Sequence, residues 1–166
     1  AVSWTKFFIE NIDPKAKIIL GGMSMGATTV LLAAGLDLPE NVKGIIADCG
    51  FTSPTEIIKK VAKQGFHINA SVFLPVMNLI CIITGHFGIY GVSTEKALKN
   101  SKVPILFIHG KSDNFVPFEM SERNYKGMTG EKEILLVDGA DHGMSYLVDT
   151  PSVEKHLCDF LKKISA

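Results

Sequence analysis

Short apolar runs alternate along the chain with segments in which apolar residues recur every three or four positions. The short runs are rich in Ile, Val and Leu and predict four β-strands, at residues 17–20, 42–47, 103–108 and 132–137. The segments of helical periodicity lie at residues 4–12, 27–36, about 117–126 and 153–164. Pro14 ends the first of these helices, and Pro117 suits the first turn of the third.

Strands that are apolar throughout and separated by helices predict a mostly parallel sheet with helices on both faces, the α/β class. The 166 residues can bury one sizeable core, so a single domain over residues 1–166 is expected. The segment at about 51–101 is longer than a simple crossover needs. We interpret it as a small cap-like excursion that covers the site, and an ordinary crossover with a decorated loop stays open as the alternative.

Composition narrows the choice of partners. The chain has 17 Lys plus Arg and 17 Asp plus Glu, so its zero net charge gives no reason to expect nucleic acid or an anionic membrane. Three widely spaced cysteines favour reduced thiols and a cytoplasmic location. The longest apolar stretch, 72–83, is too short to cross a bilayer, which needs about 20 residues. The chain begins at Ala1, so an upstream anchor or signal stays open.

One pentapeptide carries the strongest chemical signal. Residues 22–26 read Gly-Met-Ser-Met-Gly between a predicted strand and a predicted helix. This context is typical of a nucleophile elbow, a sharp turn that exposes the Ser24 hydroxyl above the sheet and leaves no room for side chains at either glycine. The backbone N–H of Met25 then points toward a developing oxyanion. A glycine-rich turn of purely structural purpose is the alternative.

A serine needs a base, and the base needs an acid that orients it. His142 lies in Gly-Ala-Asp-His-Gly after the last predicted strand, at the edge of the sheet where open α/β proteins place their sites. Asp113 follows the third predicted strand and is the expected acid, with Asp48 after the second strand as the alternative. His109 is interpreted as a packed or hydrogen-bonded structural histidine. No cofactor-binding or metal-ligand pattern is found, and a thiol nucleophile is disfavoured.

These motifs together resemble the α/β-hydrolase superfamily. The quoted segments are Gly-Met-Ser-Met-Gly, then Pro-Ile-Leu-Phe-Ile-His-Gly-Lys-Ser-Asp-Asn-Phe-Val-Pro, then Gly-Ala-Asp-His-Gly. The chain looks similar to bacterial hydrolases related to the prolyl-oligopeptidase-type and Bem46-like groups. The resemblance implies a catalytic triad of Ser24, Asp113 and His142. It does not fix a substrate, because the superfamily includes esterases, lipases, thioesterases and peptidases.

The chain departs from the family pattern at its start. Family members have eight strands and the nucleophile follows the fifth, whereas here it follows the first. The four predicted strands therefore correspond to the C-terminal half of the sheet, strands 5–8. The resemblance also implies that the second oxyanion donor, which comes from the loop after strand 3, is absent. The strand at 17–20 would have a bare apolar edge, which favours self-association.

Three functions follow as hypotheses. The first is a serine esterase that cleaves carboxylic esters of small or medium acyl chains through an acyl-serine. The second is a short-peptide hydrolase of the prolyl-oligopeptidase type. The third is a non-catalytic fragment whose oxyanion hole is incomplete.

Overall fold

The computed structural model describes residues 1–165. Helices and strands alternate through most of it, and their bounds agree with the sequence periodicity within a few residues. In chain order they are α1 Val2–Asn11, β1 Ile18–Met23, α2 Met25–Ala33, β2 Val42–Asp48, α3 Pro54–Phe66, a 3₁₀ turn Ala70–Val72, α4 Leu74–Gly85, α5 Thr94–Leu98, β3 Ile105–Gly110, α6 Phe118–Gly127, β4 Lys132–Val137, α7 Ser145–Val148 and α8 Thr150–Ser165.

The four strands form one sheet in the order β1-β2-β3-β4, and each pair is parallel. This order confirms the predicted α/β class with a parallel sheet. Within residues 1–165, β1 pairs only with β2, and its side chains alternate between half-buried and exposed. β3, by contrast, is buried at every position. The sheet is therefore best covered at its centre and least covered along β1.

Helices cover the sheet on both faces, as two separate apolar clusters demonstrate. One cluster joins α2 to β2 and β3, with Leu31, Ile45 and Phe107 fully buried in it. The other joins β3 and β4 to α8 through Leu106, Val137 and Phe160. The strand interiors are apolar on both sides because each side chain faces one of these two clusters. No helix in residues 1–165 combines the length and apolar character needed to cross a membrane.

The excursion between β2 and β3 consists of helices. Its first helix, α3, begins where Ser53 Oγ accepts a hydrogen bond from Glu56 N at 3.2 Å, with Pro54 in the first turn. α5 closes the excursion. One guanidinium from α6 connects its two ends, because Arg123 contacts Glu56 at 2.8 Å and Glu95 at 2.7 Å.

Candidate active site

The site begins at the turn between β1 and α2. Ser24 occupies this turn with φ 54° and ψ −114°, a left-handed backbone conformation that is uncommon outside glycine. Its N–H donates to the carbonyl of Asp48 at 2.8 Å, which attaches the turn to the end of β2. The strained residue is therefore held between two elements, and its half-buried side chain lies at the carboxyl end of the sheet.

The two glycines of the pentapeptide differ, which corrects the expectation of a clash at both. A Cβ on Gly22 would collide with the backbone of Gly26, so glycine is required there. A Cβ on Gly26 would have no heavy atom within 4 Å. The sharp turn therefore requires glycine at position 22 only, because Gly26 lies on the exposed side of α2.

His142 lies in the loop between β4 and α7 and contacts both other predicted residues. Its Nε2 is 3.0 Å from Ser24 Oγ, and its Nδ1 is 2.7 Å from Asp113 Oδ2. In the tautomer that satisfies both contacts, Nδ1–H donates to the carboxylate and Nε2 accepts the serine hydroxyl. The backbone N–H of His142 donates to Asp141 Oδ1 at 2.7 Å, so the neighbouring carboxylate orients the loop and leaves the ring to Asp113.

Asp113 is buried after β3 and receives hydrogen bonds on both carboxylate oxygens. Oδ1 accepts from the N–H groups of Phe115 at 2.9 Å and Val116 at 2.7 Å. Oδ2 is 3.1 Å from His109 Nε2 as well as 2.7 Å from the His142 ring. Burial on its own would raise the pKa of Asp113, but the hydrogen bonds from His109 and His142 outweigh it, and the pKa lies below its ordinary value. The carboxylate therefore stays charged at neutral pH.

His109 is fully buried at the end of β3, as its interpretation as a structural histidine requires. Its Nδ1 is 2.6 Å from Ser121 Oγ and its Nε2 is 3.0 Å from the carbonyl of Val116. Sequence reasoning missed that the same nitrogen contacts Asp113. The signal was available in the four-residue spacing, because the tight turn after β3 brings residue 113 back over residue 109.

Asp48, the alternative acid, ends the neighbouring strand but sits in a different environment. In the part of the chain that the structure describes, its Oδ1 is buried and has no hydrogen-bond partner. Burial raises the pKa of Asp48, against smaller opposing effects of His109 and His142. Of the two carboxylates, Asp113 is the one whose oxygen contacts the His142 ring.

Cys49 is a neighbour that the sequence did not indicate. It has φ 47° and is fully buried, and its Sγ is 4.0 Å from His142 Nε2. Burial, reinforced by the charge of Asp48, raises the pKa of this thiol to about 12. A thiol must lose its proton to act as a nucleophile or to bind a metal. Cys49, Asp113 and His142 could each direct one ligand atom within 4.8 Å of the others, yet a protonated thiol and a fully hydrogen-bonded imidazole do not suit a metal ion.

An apolar cleft of about 440 Å³ opens beside Ser24. Its walls come from the turn at Ser24, the start of the excursion and the loop after β3. The lining residues are Ser24, Met25, Phe51, Ile57, Ile58, Val61, Ala62, Phe66 and Phe115. The ring of Phe115 also meets the His142 ring edge-on, with centroids 5.1 Å apart. The cleft therefore joins the hydroxyl of Ser24 to the apolar face of α3.

The helix that follows Ser24 contributes a donor. Met25 is the first residue of α2, so no carbonyl within the helix can accept its backbone N–H. The positive end of the helix dipole lies at the same place. An anion beside Ser24 would thus meet one unpaired donor and a favourable dipole.

Comparison with known sequences finds similarity to one family model and to several proteins. The family model Abhydrolase_4, described as TAP-like protein, matches residues 90–165. The chain is 28% identical over 156 residues to the uncharacterized protein YqkD of Bacillus subtilis (strain 168), covering 94% of this chain and 51% of that protein. It is 31% identical over 67 residues to the bifunctional esterase/perhydrolase DCH of Acinetobacter calcoaceticus, covering 40% of this chain and 24% of that protein.

Solved structures agree on the fold. An esterase domain from Rhodothermus marinus superposes with a TM-score of 0.67 at 21% identity, covering 96% of this chain and 65% of that one. Acetyl xylan esterase 1 from Thermoanaerobacterium superposes with a TM-score of 0.68 at 15% identity, covering 99% and 51%. The chain has the α/β-hydrolase fold, and the resemblance drawn from its motifs is confirmed. It contains a C-terminal-like portion of that fold and spans about half the length of YqkD.

Proposed function

We propose that this chain carries the catalytic residues of a serine hydrolase that cleaves carboxylic esters. The observation that carries the proposal is the continuous hydrogen-bonded series from Ser24 Oγ through the His142 ring to Asp113, with contacts of 3.0 and 2.7 Å. A base oriented by a buried carboxylate and in contact with a strained, accessible serine is the arrangement that acyl transfer needs. The esterases among its relatives and structural neighbours point the same way.

In the proposed reaction, Ser24 Oγ attacks the ester carbonyl while His142 Nε2 takes its proton. Asp113 holds the ring in the tautomer that can accept this proton and stabilises the imidazolium that forms. His142 then returns the proton to the leaving alcohol, and an acyl-serine remains. Water, activated by the same Nε2, attacks the acyl-serine and releases the acid. The reaction uses no cofactor.

Negative charge develops on the carbonyl oxygen in both steps. The N–H of Met25 is the donor that this chain offers, supported by the dipole of α2. The family resemblance implies a second donor from the loop after strand 3 of an eight-stranded sheet, which the four described strands do not include.

The apolar cleft suits the acyl part of the substrate. From Ile58 to Phe66 the helix α3 extends along it by eight rises of 1.5 Å, or about 12 Å. Extended chains advance about 1.2 Å per bond, since three backbone bonds span roughly 3.3–3.6 Å. An extended acyl chain of about ten bonds would match this length of α3, and this match supports the proposal of small or medium acyl groups.

The proposal is tested by replacing the nucleophile. In the intact enzyme, Ser24→Ala is expected to remove labelling by a fluorophosphonate probe and to lower p-nitrophenyl butyrate turnover by about 10⁶-fold, because Ser24 Oγ is the hydroxyl that contacts His142 Nε2. Ser3→Ala, on α1, is the matched control and should keep both signals. Full labelling of the Ser24→Ala protein would show that another residue is the nucleophile.

A further inference from the structure

One face of helix α4 exposes a row of apolar side chains to solvent. Val76, Leu79, Ile80 and Ile83 recur at the spacing of one helix face, and their exposed fractions are 60%, 55%, 54% and 66%. In a helix that packs on a soluble protein, such a row faces the core. Here it faces outward, and we call these four residues the α4 stripe.

The opposite face of α4 is the one that packs against the rest of the protein. Leu74 is buried, and Asn78 Oδ1 accepts a hydrogen bond from the N–H of Ile89 at 2.8 Å. The orientation of the stripe is thus fixed by a polar contact and a packed side chain on the inner face. The apolar surface also continues before the helix, where Val72 is 70% and Phe73 is 58% exposed.

The charged residues that most closely precede the stripe along the chain have a single sign. Between Glu56 and Glu95, the charged side chains are Lys59, Lys60 and Lys63, all on α3. Lys60 Nζ donates to the carbonyls of Asn114 and Phe115, which leaves Lys59 and Lys63 to face a ligand. Lys59 and Lys63 line a cleft between α3 and the 3₁₀ turn that leads into α4. Although the net charge of the whole chain is zero, the segment of about forty residues between Glu56 and Glu95 contains basic residues and no acidic ones.

We propose that the α4 stripe docks on an anionic lipid surface, with α4 lying flat in the headgroup region. An interfacial helix of this kind places an apolar face about 5–10 Å into the lipid and basic residues near the headgroups. At 12 residues, α4 is about 18 Å long, enough to lie in the interface and too short to span it.

A second copy of the chain is the less suitable occupant. A symmetric dimer places the same patch against itself. It would bring the basic excursion of one copy against the equally basic excursion of the other. No acidic side chain between Glu56 and Glu95 would offset that repulsion. Anionic headgroups are complementary to the lysines, whereas a second copy is not.

The test is flotation of the protein, expressed from its own reading frame, with phosphatidylcholine vesicles that contain or lack phosphatidylglycerol. We expect binding to the anionic vesicles and a loss of at least about tenfold in Val76→Asp/Ile83→Asp, because two exposed aliphatic groups no longer enter the lipid. Leu36→Asp is the matched control, since Leu36 is 61% exposed and lies outside the excursion. Its binding should be unchanged.

The basic component is measured separately. Lys59→Glu/Lys63→Glu should weaken binding to anionic vesicles by about fivefold or more per lysine and leave the weak binding to neutral vesicles unchanged. Lys6→Glu/Lys15→Glu, with the same change of charge on the α1 side, should have little effect. Thermal unfolding of each variant serves as the folding control and does not depend on the proposed esterase activity.

Three outcomes would overturn the proposal. One is absence of flotation by the wild-type protein with either vesicle. The second is equal loss in the Leu36→Asp control. The third is a wild-type dimer in sedimentation experiments that Val76→Asp/Ile83→Asp converts to monomer, which would assign the stripe to a second copy.

Discussion

At the level of single residues, Asp48 at the end of β2 and Asp113 just after β3 are distinguished by their hydrogen bonds. Asp113 accepts from two backbone N–H groups and contacts two imidazoles, so its pKa is lowered despite burial. Asp48 is buried with an unpaired Oδ1, and its pKa is raised. The environment therefore selects one carboxylate to remain charged beside His142.

This difference predicts the outcome of two matched substitutions. Asp113→Asn should lower ester turnover by about 10⁴-fold, because an amide cannot hold the productive tautomer of His142. Asp48→Asn should retain turnover within about tenfold, because its carboxylate is not the group that contacts the ring. The measurement is kcat/KM for p-nitrophenyl butyrate in the intact enzyme. Loss of turnover only in Asp48→Asn would identify Asp48 as the acid.

The raised pKa of Asp48 also predicts a pH dependence of stability. An acid whose pKa is higher folded than unfolded destabilises the fold above its folded pKa, and this penalty disappears as the pH falls through the folded pKa toward the unfolded value of about 3.9. Asp48→Asn should therefore unfold at a higher temperature than wild type at pH 7.5, and the gap should narrow toward pH 4. A gap that is constant with pH would contradict this account.

At the level of elements, the strand–turn–helix at Ser24 depends on the lack of a side chain at one position. Gly22→Ala should lower the free energy of unfolding by about 1–3 kcal/mol and reduce turnover, because its Cβ would displace the backbone that holds Ser24. Gly26→Ala is the control within the same motif. It should be neutral or stabilising by up to about 1 kcal/mol, since open space surrounds it and alanine favours the helix.

For Gly22→Ala and Gly26→Ala, chemical denaturation measures the change in the free energy of unfolding, and p-nitrophenyl butyrate hydrolysis measures the change in turnover. Equal effects at the two glycines would contradict the geometric distinction between them.

The elements also indicate how far sequence reasoning extends. All four strands were predictable because each is a short apolar run bounded by turns, and 132–137 agrees with the structure at both ends. α2 begins two residues earlier than predicted because the left-handed Ser24 sets its start, a backbone property that apolar periodicity does not encode. The open space at Gly26 depends on the course of the backbone through the turn, and the contact of Cys49 with His142 joins segments far apart in the sequence, so the residue pattern indicates neither.

At the level of the whole molecule, β1 is one of the two edge strands of the described sheet, and it also leads into the turn of Ser24. Ile19 and Met23 are exposed along it, by 37% and 58%. An apolar edge with unpaired backbone groups favours pairing with a further strand, whether from the same protein or from another copy. The element that positions the proposed nucleophile is thus the least supported strand of the sheet.

This arrangement predicts that the 166-residue chain alone is a weak enzyme and that a version extended upstream is an active one. Extension would pair the edge of β1 and supply a second oxyanion donor, whose absence lowers the rate by about 10²–10³-fold. The measurement is p-nitrophenyl butyrate turnover of both proteins, with Ser24→Ala of each as blank. Equal turnover by the two would show that Met25 and α2 suffice.

The ion pairs of Arg123 have a consequence for how this fold can diversify. Because one guanidinium ties Glu56 and Glu95 together, the excursion leaves and rejoins the domain at nearly one point. Doubling the length of a flexible segment between fixed ends costs only about 0.6 kcal/mol of closure entropy. Insertions between α3 and Glu95 would therefore cost little closure entropy, whereas α3 itself is fixed to the domain by Ile57 and by Lys60, whose Nζ donates to the carbonyls of Asn114 and Phe115. The stretch from the end of α3 to Glu95 is therefore the part of the excursion whose length can change with the least effect on the sheet and its serine.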